Sequence, residues 1–345
     1  MSYLMVTSTG QFSIGIVLLP LALKLKSEGK KVGYFKPVGL SPVVVDGKAV
    51  DKDVLFMKEN LGLSEPAEKL CGIVVTGEQI DSMLGGNMKS PLNDVKKAMS
   101  EIDKGKDITL VAGAGSLEAG AIFGLSDCKI AEIPEMKVLF VARYERKTLF
   151  DQVAMAEQLF GKKLTGIIVN CAPPAAHGEI EKLKTWLSRQ KISFFGAIPY
   201  DELLGAVSVK KLSEELGGEI ICRKDKINEL VEHFMVGAMN VESALKYFRR
   251  QTNKAVITGG DRSDIQLAAL ETHTMCLILT GGLTPSAPVL ARAEETGVPM
   301  MLLNADTSST LEKIEEITGH MKLREKEKLS KVVELFNRHI KIKVT

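Results

Sequence analysis

A stretch running Met5-Val6-Thr7-Ser8-Thr9-Gly10-Gln11-Phe12-Ser13-Ile14-Gly15-Ile16-Val17 stands between a short apolar strand and a long apolar helix. In a strand-loop-helix unit this is the place of a phosphate-cradling loop of the form G-x-x-x-x-G-K-[ST]. Its glycines let backbone N–H groups curl around phosphate oxygens, its lysine reaches the terminal phosphates and its hydroxyl holds Mg²⁺. Gly10 and Gly15 keep the glycine spacing, but Ile16 and Val17 fill the lysine and hydroxyl places. Shifting the register so that Ser13-Ile14-Gly15 fills the triplet restores no charge, and the next basic residue, Lys24, lies well inside the helix. The pattern predicts an α/β fold and the loss of that loop's main electrostatic tool.

The 345 residues exceed what one hydrophobic core usually organises, so two domains are expected. With 45 basic and 43 acidic residues the net charge is +2, which gives no reason to expect nucleic acid or an anionic membrane as partner. Small molecules and proteins remain. No apolar run reaches the ~18 residues of a bilayer span, and the N-terminus lacks the features of a secretory signal, so a cytoplasmic location is expected. Cys71, Cys128, Cys171, Cys222 and Cys276 are scattered singly, and His177, His233, His273, His320 and His339 lack ligand spacing. These spacings predict buried free thiols and no metal site made of protein ligands alone.

Short apolar runs alternate with helical patterns, as in β-α-β units around a largely parallel sheet. The first-half strands are expected at 3–7, 32–35, 108–112, 138–142, 166–170 and 194–198, with a helix over 16–26 stopped by Ser27-Glu28-Gly29. Two segments, 39–48 and 71–91, break this rhythm and read as loops that form a site. From 208 to 226 the pattern changes and a second α/β series begins, which gives domains of 1–206 and 207–345. Three segments of the second domain repeat one design, an apolar run ending in a polar or glycine turn: 254–260, 275–282 and 299–306. Open α/β sheets bind ligands at such strand ends. The charged tail from Leu323 to His339 reads as a solvated terminal helix of this second domain.

Val32-Gly33-Tyr34-Phe35-Lys36-Pro37-Val38-Gly39, Asp51-Lys52-Asp53 and Leu110-Val111-Ala112-Gly113-Ala114-Gly115 resemble dethiobiotin synthetase and its relatives. Val256-Ile257-Thr258-Gly259-Gly260-Asp261-Arg262-Ser263-Asp264 resembles the signature of the DRTGG domain. Together they resemble the non-catalytic N-terminal region of long phosphotransacetylases, which also occurs as a stand-alone protein. The resemblance implies a parallel-sheet P-loop NTPase-like domain followed by a smaller α/β DRTGG domain. It also implies that Lys36 matches the substrate-facing lysine of the synthetase and Asn170 a position that reads adenine. The synthetase strand before Gly-Ala-Gly ends in glutamate, and here Ala112 stands in its place. Losing a charged clamp on a transferred phosphoryl group typically costs ~3–4 kcal/mol, or ~10²- to 10³-fold in rate.

The candidate ligand-binding residues of the first domain are Gly10, Ser13, Gly15, Lys36, Asp51, Asp53 and Asn170. Lys36 reads equally as a surface lysine at a strand end, Asn170 as a turn residue, and the aspartates as either a shared cation site or a loop or helix start. In the second domain the candidates are Thr258, Gly259, Gly260, Asp261, Arg262, Thr280, Gly281, Gly282 and Asp306, with an Arg262–Asp bridge across the turn as the structural alternative. No catalytic residue is assigned. The expected function is a regulatory or scaffolding protein that senses a small-molecule effector, self-associates and serves a metabolic enzyme such as a separate acetyltransferase. The alternative is an ATP- and Mg²⁺-dependent synthetase that borrows Lys36 for the phosphates; no cofactor is expected otherwise.

Overall fold

The computed structural model describes residues 3–10, 14–319 and 326–342 and divides the chain into two compact units, Met1–Tyr200 with Lys322–Thr345 and Asp201–Met321. The strands of the first unit are β1 (Tyr3–Ser8), β2 (Val32–Gly39), β3 (Pro42–Val45), β4 (Lys48–Asp51), β5 (Cys71–Val74), β6 (Ile108–Ala112), β7 (Met136–Arg143), β8 (Leu164–Ala172) and β9 (Ser193–Pro199). Seven of them form one parallel sheet in the order β5-β2-β6-β1-β7-β8-β9. Every residue of β1, β2 and β6 is buried. That burial is why these strands read as unbroken apolar runs, since helices cover both faces of such a sheet.

The helices of this unit are α1 (Ile14–Ser27), α2 (Lys52–Leu61), α3 (Gly77–Leu84), α4 (Leu92–Ile102), α5 (Asp127–Ala131), α6 (Leu149–Phe160) and α7 (His177–Arg189). Helix α1 buries Ile16 through Ala22 without a gap and closes with Lys24 and Lys26 in its last turn, where cations meet the negative end of the helix dipole. The rhythm-breaking segments resolve into regular structure. Residues 39–48 hold the end of β2 and most of the β3–β4 hairpin, whose two-residue turn, Asp46-Gly47, has φ of 50° and 75°. Asp-Gly between β-branched runs is a strong hairpin signal. Residues 71–91 supply β5, the edge strand beside β2, and helix α3.

The second unit holds α8 (Glu202–Gly205), β10 (Val207–Ser208), α9 (Val209–Leu216), β11 (Glu219–Cys222), β12 (Leu230–Val231), β13 (His233–Val236), α10 (Val241–Phe248), β14 (Lys254–Gly259), α11 (Ser263–Leu270), β15 (Thr274–Thr280), α12 (Ala287–Thr296), β16 (Met300–Leu302) and α13 (Thr307–Gly319). Its five-stranded sheet runs β11-β16-β15-β14-β13, with only β11 antiparallel to its neighbour. Alternate residues face opposite cores, as the two-residue period of a strand requires. Val256, Leu277 and Leu279 pack with α10, α11 and α12 on one side. Ala255, Ile257, Cys276 and Ile278 pack with α9 and α13 on the other. Among the described residues no helix is long and apolar enough to cross a membrane.

The compact units meet between Tyr200 and Asp201, close to the expected 206, and the last helix, α14 (Lys326–His339), falls with the first unit rather than the second. Charged residues dominate its composition, yet Val332, Leu335, Phe336 and Ile340 form a buried stripe at helical spacing. Lys24 Nζ donates to the Ile342 carbonyl at 3.4 Å and Lys341 N to the Phe195 carbonyl at 2.8 Å. Gly196, with φ of 141°, makes room: a Cβ there would stand 2.1 Å from the His339 carbonyl oxygen. Replacing the fully buried Phe336 by alanine is expected to cost ~3–5 kcal/mol. Urea unfolding followed by the single tryptophan, Trp186 in α7 of the same unit, measures it.

Candidate functional site

The carboxyl ends of β6, β1 and β7 carry the residual phosphate loop at the centre of the first sheet, where strand order changes direction. Among the described residues, the hydroxyls at its start bond to the protein itself. Ser8 Oγ donates to the Gly10 carbonyl, and Thr9 Oγ1 donates to Gln152 Oε1 at 2.9 Å. Gln152 Nε2 in turn donates to the Arg143 carbonyl at 3.3 Å and Thr148 Oγ1 at 3.2 Å. Gly10 follows β1 and Gly15 is the second residue of α1, while Ser13 lies outside the described residues. Ile16 and Val17, in the lysine and hydroxyl places, are 1 % and 0 % exposed and face the core.

Lys36, Asp51 and Asp53 do come together. Lys36 Nζ lies 3.0 Å from Asp51 Oδ1 and 2.8 Å from Asp53 Oδ2. The lysine is buried on β2, Asp51 is wholly buried, and Asp53 is half exposed. Burial pulls the Lys36 amine down, but the charges of Asp53 and Asp51 more than reverse this and raise it above the ordinary lysine value. Asp51 also caps α2: its Oδ1 accepts the backbone N–H groups of Asp53 and Val54 at 2.9 and 3.2 Å, and Oδ2 accepts that of Ser41 at 2.9 Å. The helix start and the charge cluster are therefore one device. Gly39 permits the close approach, since a Cβ there would meet Asp51 Cβ at 2.7 Å.

Asp127 escaped the sequence reading. It opens α5, is 2 % exposed, and accepts hydrogen bonds from Thr7 Oγ1 at the end of β1 and from Ala114 N, at 3.0 Å, in the turn after β6. A carboxylate thus reaches the turn that follows Ala112 by another route through the chain. A Cβ on Gly113 would stand 2.4 Å from Asp127 Oδ2, so the Gly-Ala-Gly turn needs glycine there for packing. Burial pushes the carboxyl up to about 6, helped by Glu118 and opposed by the hydrogen bonds of Thr7 and Ala114 and by Lys36. The available signal was Ser126-Asp127 as a helix start, which ordinarily marks an exposed cap. Asn170 is buried on β8, opposite Arg143 of β7, and precedes Cys171, a non-glycine residue at φ 58°. Its strand lies two places from β1, beyond β7, on the side of the sheet away from β2 and Lys36.

In the second unit the predicted residues gather at the carboxyl ends of β14, β15 and β16, which are neighbours. Most of their polar groups are committed there. Thr258 Oγ1 donates to the Gly237 carbonyl at 3.1 Å, and Thr280 Oγ1 lies 2.9 Å from Thr307 Oγ1. Arg262 forms the bridge across its own turn: Nε and Nη2 reach Asp264 at 3.0 and 3.2 Å, and Nη2 donates to the Met239 carbonyl at 3.0 Å. Asp306 caps α13 through Ser308 N and Ser309 N at 2.8 and 3.0 Å. A Cβ at Gly260 would fall 1.8 Å from the Leu283 carbonyl oxygen, and at Gly259 2.4 Å from Asp261 Oδ1. Gly281 and Gly282 hold φ of 85° and 68°, as their turn demands. Asp261 is exposed, and beneath the same turn Gln266 donates to the Gly259 carbonyl at 2.8 Å while its buried Oε1 has no hydrogen-bond partner.

Residues 2–208 match the AAA domain family and residues 211–317 the DRTGG domain. Phosphate acetyltransferases are similar along nearly the whole chain. That of Nitratidesulfovibrio vulgaris is 24% identical over 98% of this chain and 50% of its own length. Those of Synechocystis sp. and Escherichia coli are 22% and 23% identical over 96% and 98% of this chain, and 49% and 51% of theirs. The chain spans about half the length of the curated relatives it matches. Among solved structures, the CBS and DRTGG domains of the regulatory region of Clostridium perfringens pyrophosphatase, complexed with the activator diadenosine tetraphosphate, are 23% identical over 36% of this chain and 50% of that one, with a TM-score of 0.30. Chloroplast FtsY from Physcomitrella patens is 15% identical over 58% of this chain and 59% of that one, with a TM-score of 0.33. The architecture is that of a dethiobiotin synthetase-like P-loop domain joined to a DRTGG domain, the N-terminal region that phosphotransacetylases carry.

The raised value of Asp127 has a consequence for stability. The folded state holds this proton more tightly than the unfolded chain, so the group's contribution falls as pH rises from 3.8 to about 6 and is constant above. Relative to the parent, Asp127→Asn is therefore expected to gain on the order of 2–3 kcal/mol between those pH values, read from urea unfolding at each pH. Lys36→Met should cost ~3–5 kcal/mol by stranding the buried Asp51, whereas Asp53→Asn, on a half-exposed side chain, should cost under ~1 kcal/mol.

Proposed function

The chain belongs to the AAA domain family over residues 2–208, and we propose that it is a non-catalytic regulatory or scaffolding protein of metabolism in which the P-loop domain has become architecture. One observation carries the reading: the loop from Gly10 to Val17 contains no lysine to meet a phosphate. Isoleucine is buried in the lysine place, and the lysine that remains in the site is held by two carboxylates. Ala112 in the glutamate's place and the internal hydrogen bonds of Ser8 and Thr9 support the same view. In this reading the DRTGG domain receives a small-molecule effector, an adenine nucleotide being the candidate, at the turns after β14, β15 and β16. The signal is a difference in affinity between two conformations of an assembly. Self-association and a separately encoded acetyltransferase are the proposed partners, in line with the relatives that carry this region.

Purified protein with Mg·ATP is expected to release no phosphate above background, and to show no exchange between acetyl-CoA and phosphate. Turnover that disappears in Lys36→Ala would instead establish the synthetase reading, with Lys36 leaving its carboxylates for the phosphates. Restoring the motif by Ile16→Lys with Val17→Thr is expected to lower stability by several kcal/mol, order of magnitude ~3–5, rather than to create an ATP site, because both positions face the core. Calorimetry with ATP and a melting curve distinguish the two results. Mass spectrometry of what co-purifies identifies the effector.

A further inference from the structure

Three metal-ligating side chains that play no part in either predicted site converge in the second unit. Glu202 opens α8, Glu232 lies between β12 and β13, and His233 begins β13. One ligand atom from each lies within 4.8 Å of the others, and His233 Nε2 is 3.9 Å from Glu202 Oε2. The backbone brings them there. Val207 and Ser208, just after α8, pair with Val231 and Leu230, just before Glu232. The N–H groups of Glu232 and His233 both reach the Asn253 carbonyl, at 2.8 and 3.4 Å, and Asp201 caps the short helix through Leu204 N at 3.3 Å.

We propose that Glu202, Glu232 and His233 bind one zinc-class divalent cation. Ligands ~2.0–2.2 Å from a common ion stand ~3–4 Å apart, so the observed spread needs only small side-chain adjustments. Two carboxylates this close repel each other, and a dication between them turns the repulsion into attraction. The imidazole nitrogen sets the class, because Mg²⁺ and Ca²⁺ favour oxygen ligands alone whereas Zn²⁺ accepts a mixed nitrogen and oxygen set. His233 is largely buried and Glu202 60 % exposed, so the protein supplies one closed side and water completes the other. The ion would clamp α8 to the edge strand of the five-stranded sheet. The histidines show no ligand spacing in the sequence and gave no hint of this, because Glu202 comes from a different segment than Glu232 and His233.

The full chain, stripped with a chelator, is titrated with Zn²⁺ by calorimetry in excess Mg²⁺, with a melting curve at each step. The expected result is about one bound equivalent together with a raised melting temperature. Even outer-shell partners of a metal commonly contribute ~10- to 100-fold in affinity, so Glu202→Gln should weaken binding at least ~10-fold and Glu232→Gln with His233→Ala at least ~100-fold. Glu202 is exposed, so its variant reports binding without threatening the fold. Zn²⁺ binding of equal strength in all three proteins would assign the ion to the thiols and overturn the proposal, as would its displacement by Mg²⁺ or no binding at ~100-fold excess over protein.

Discussion

A charge survives away from water only where an opposite charge or a set of hydrogen bonds meets it, and the pairing of Lys36 with Asp51 and Asp53 is where the first domain obeys that rule. Three elements depend on it. The amine projects from β2, the first carboxylate ends the hairpin and starts α2, and the second lies in that helix's first turn. Here they satisfy one another, and Asp51 is at the same time bound by three backbone N–H groups. A ligand would have to replace all of this to recruit the lysine.

The same inward turn is visible around β1. Thr7, Ser8 and Thr9 are hydroxyl residues at the carboxyl end of β1, and each reaches a protein acceptor: Asp127, the Gly10 carbonyl and Gln152. Asp127 is the telling case. Its carboxylate fills space against Gly113 and joins the ends of β1 and β6, which is structural work done at the expense of a raised proton affinity.

How much of this was readable depends on the range of the interaction. The parallel strands were legible because burial on both faces makes them continuous apolar runs, and the family resemblance rested on such runs with their turns. Strand β5 was not, being four residues long with Gly72 inside it, although the Asp46-Gly47 turn beside β2 could have been recognised. Helix α14 was misassigned because its charges outnumber the few apolar residues that form its buried stripe. Asp51 and Asp53 were paired from their two-residue spacing, and Lys36 was singled out by the resemblance alone. Whether they held a ligand or each other was set by geometry that no spacing contains, and the same is true of Arg262, whose guanidinium closes its own turn. Asp127 pairs with a residue 120 positions away, beyond the reach of any local pattern.

The return of α14 to the first unit makes the DRTGG domain an insertion in the chain path of its neighbour, and this bears on biogenesis. Lys24 meets a carbonyl 318 residues downstream. A ribosome must release the entire second module before α14 can cover α1 and the edge strand β9, so those two elements wait with apolar surface uncovered during synthesis. Contacts of such high sequence separation slow folding and prolong exposure to aggregation. The nascent protein should lean on chaperones until α14 emerges.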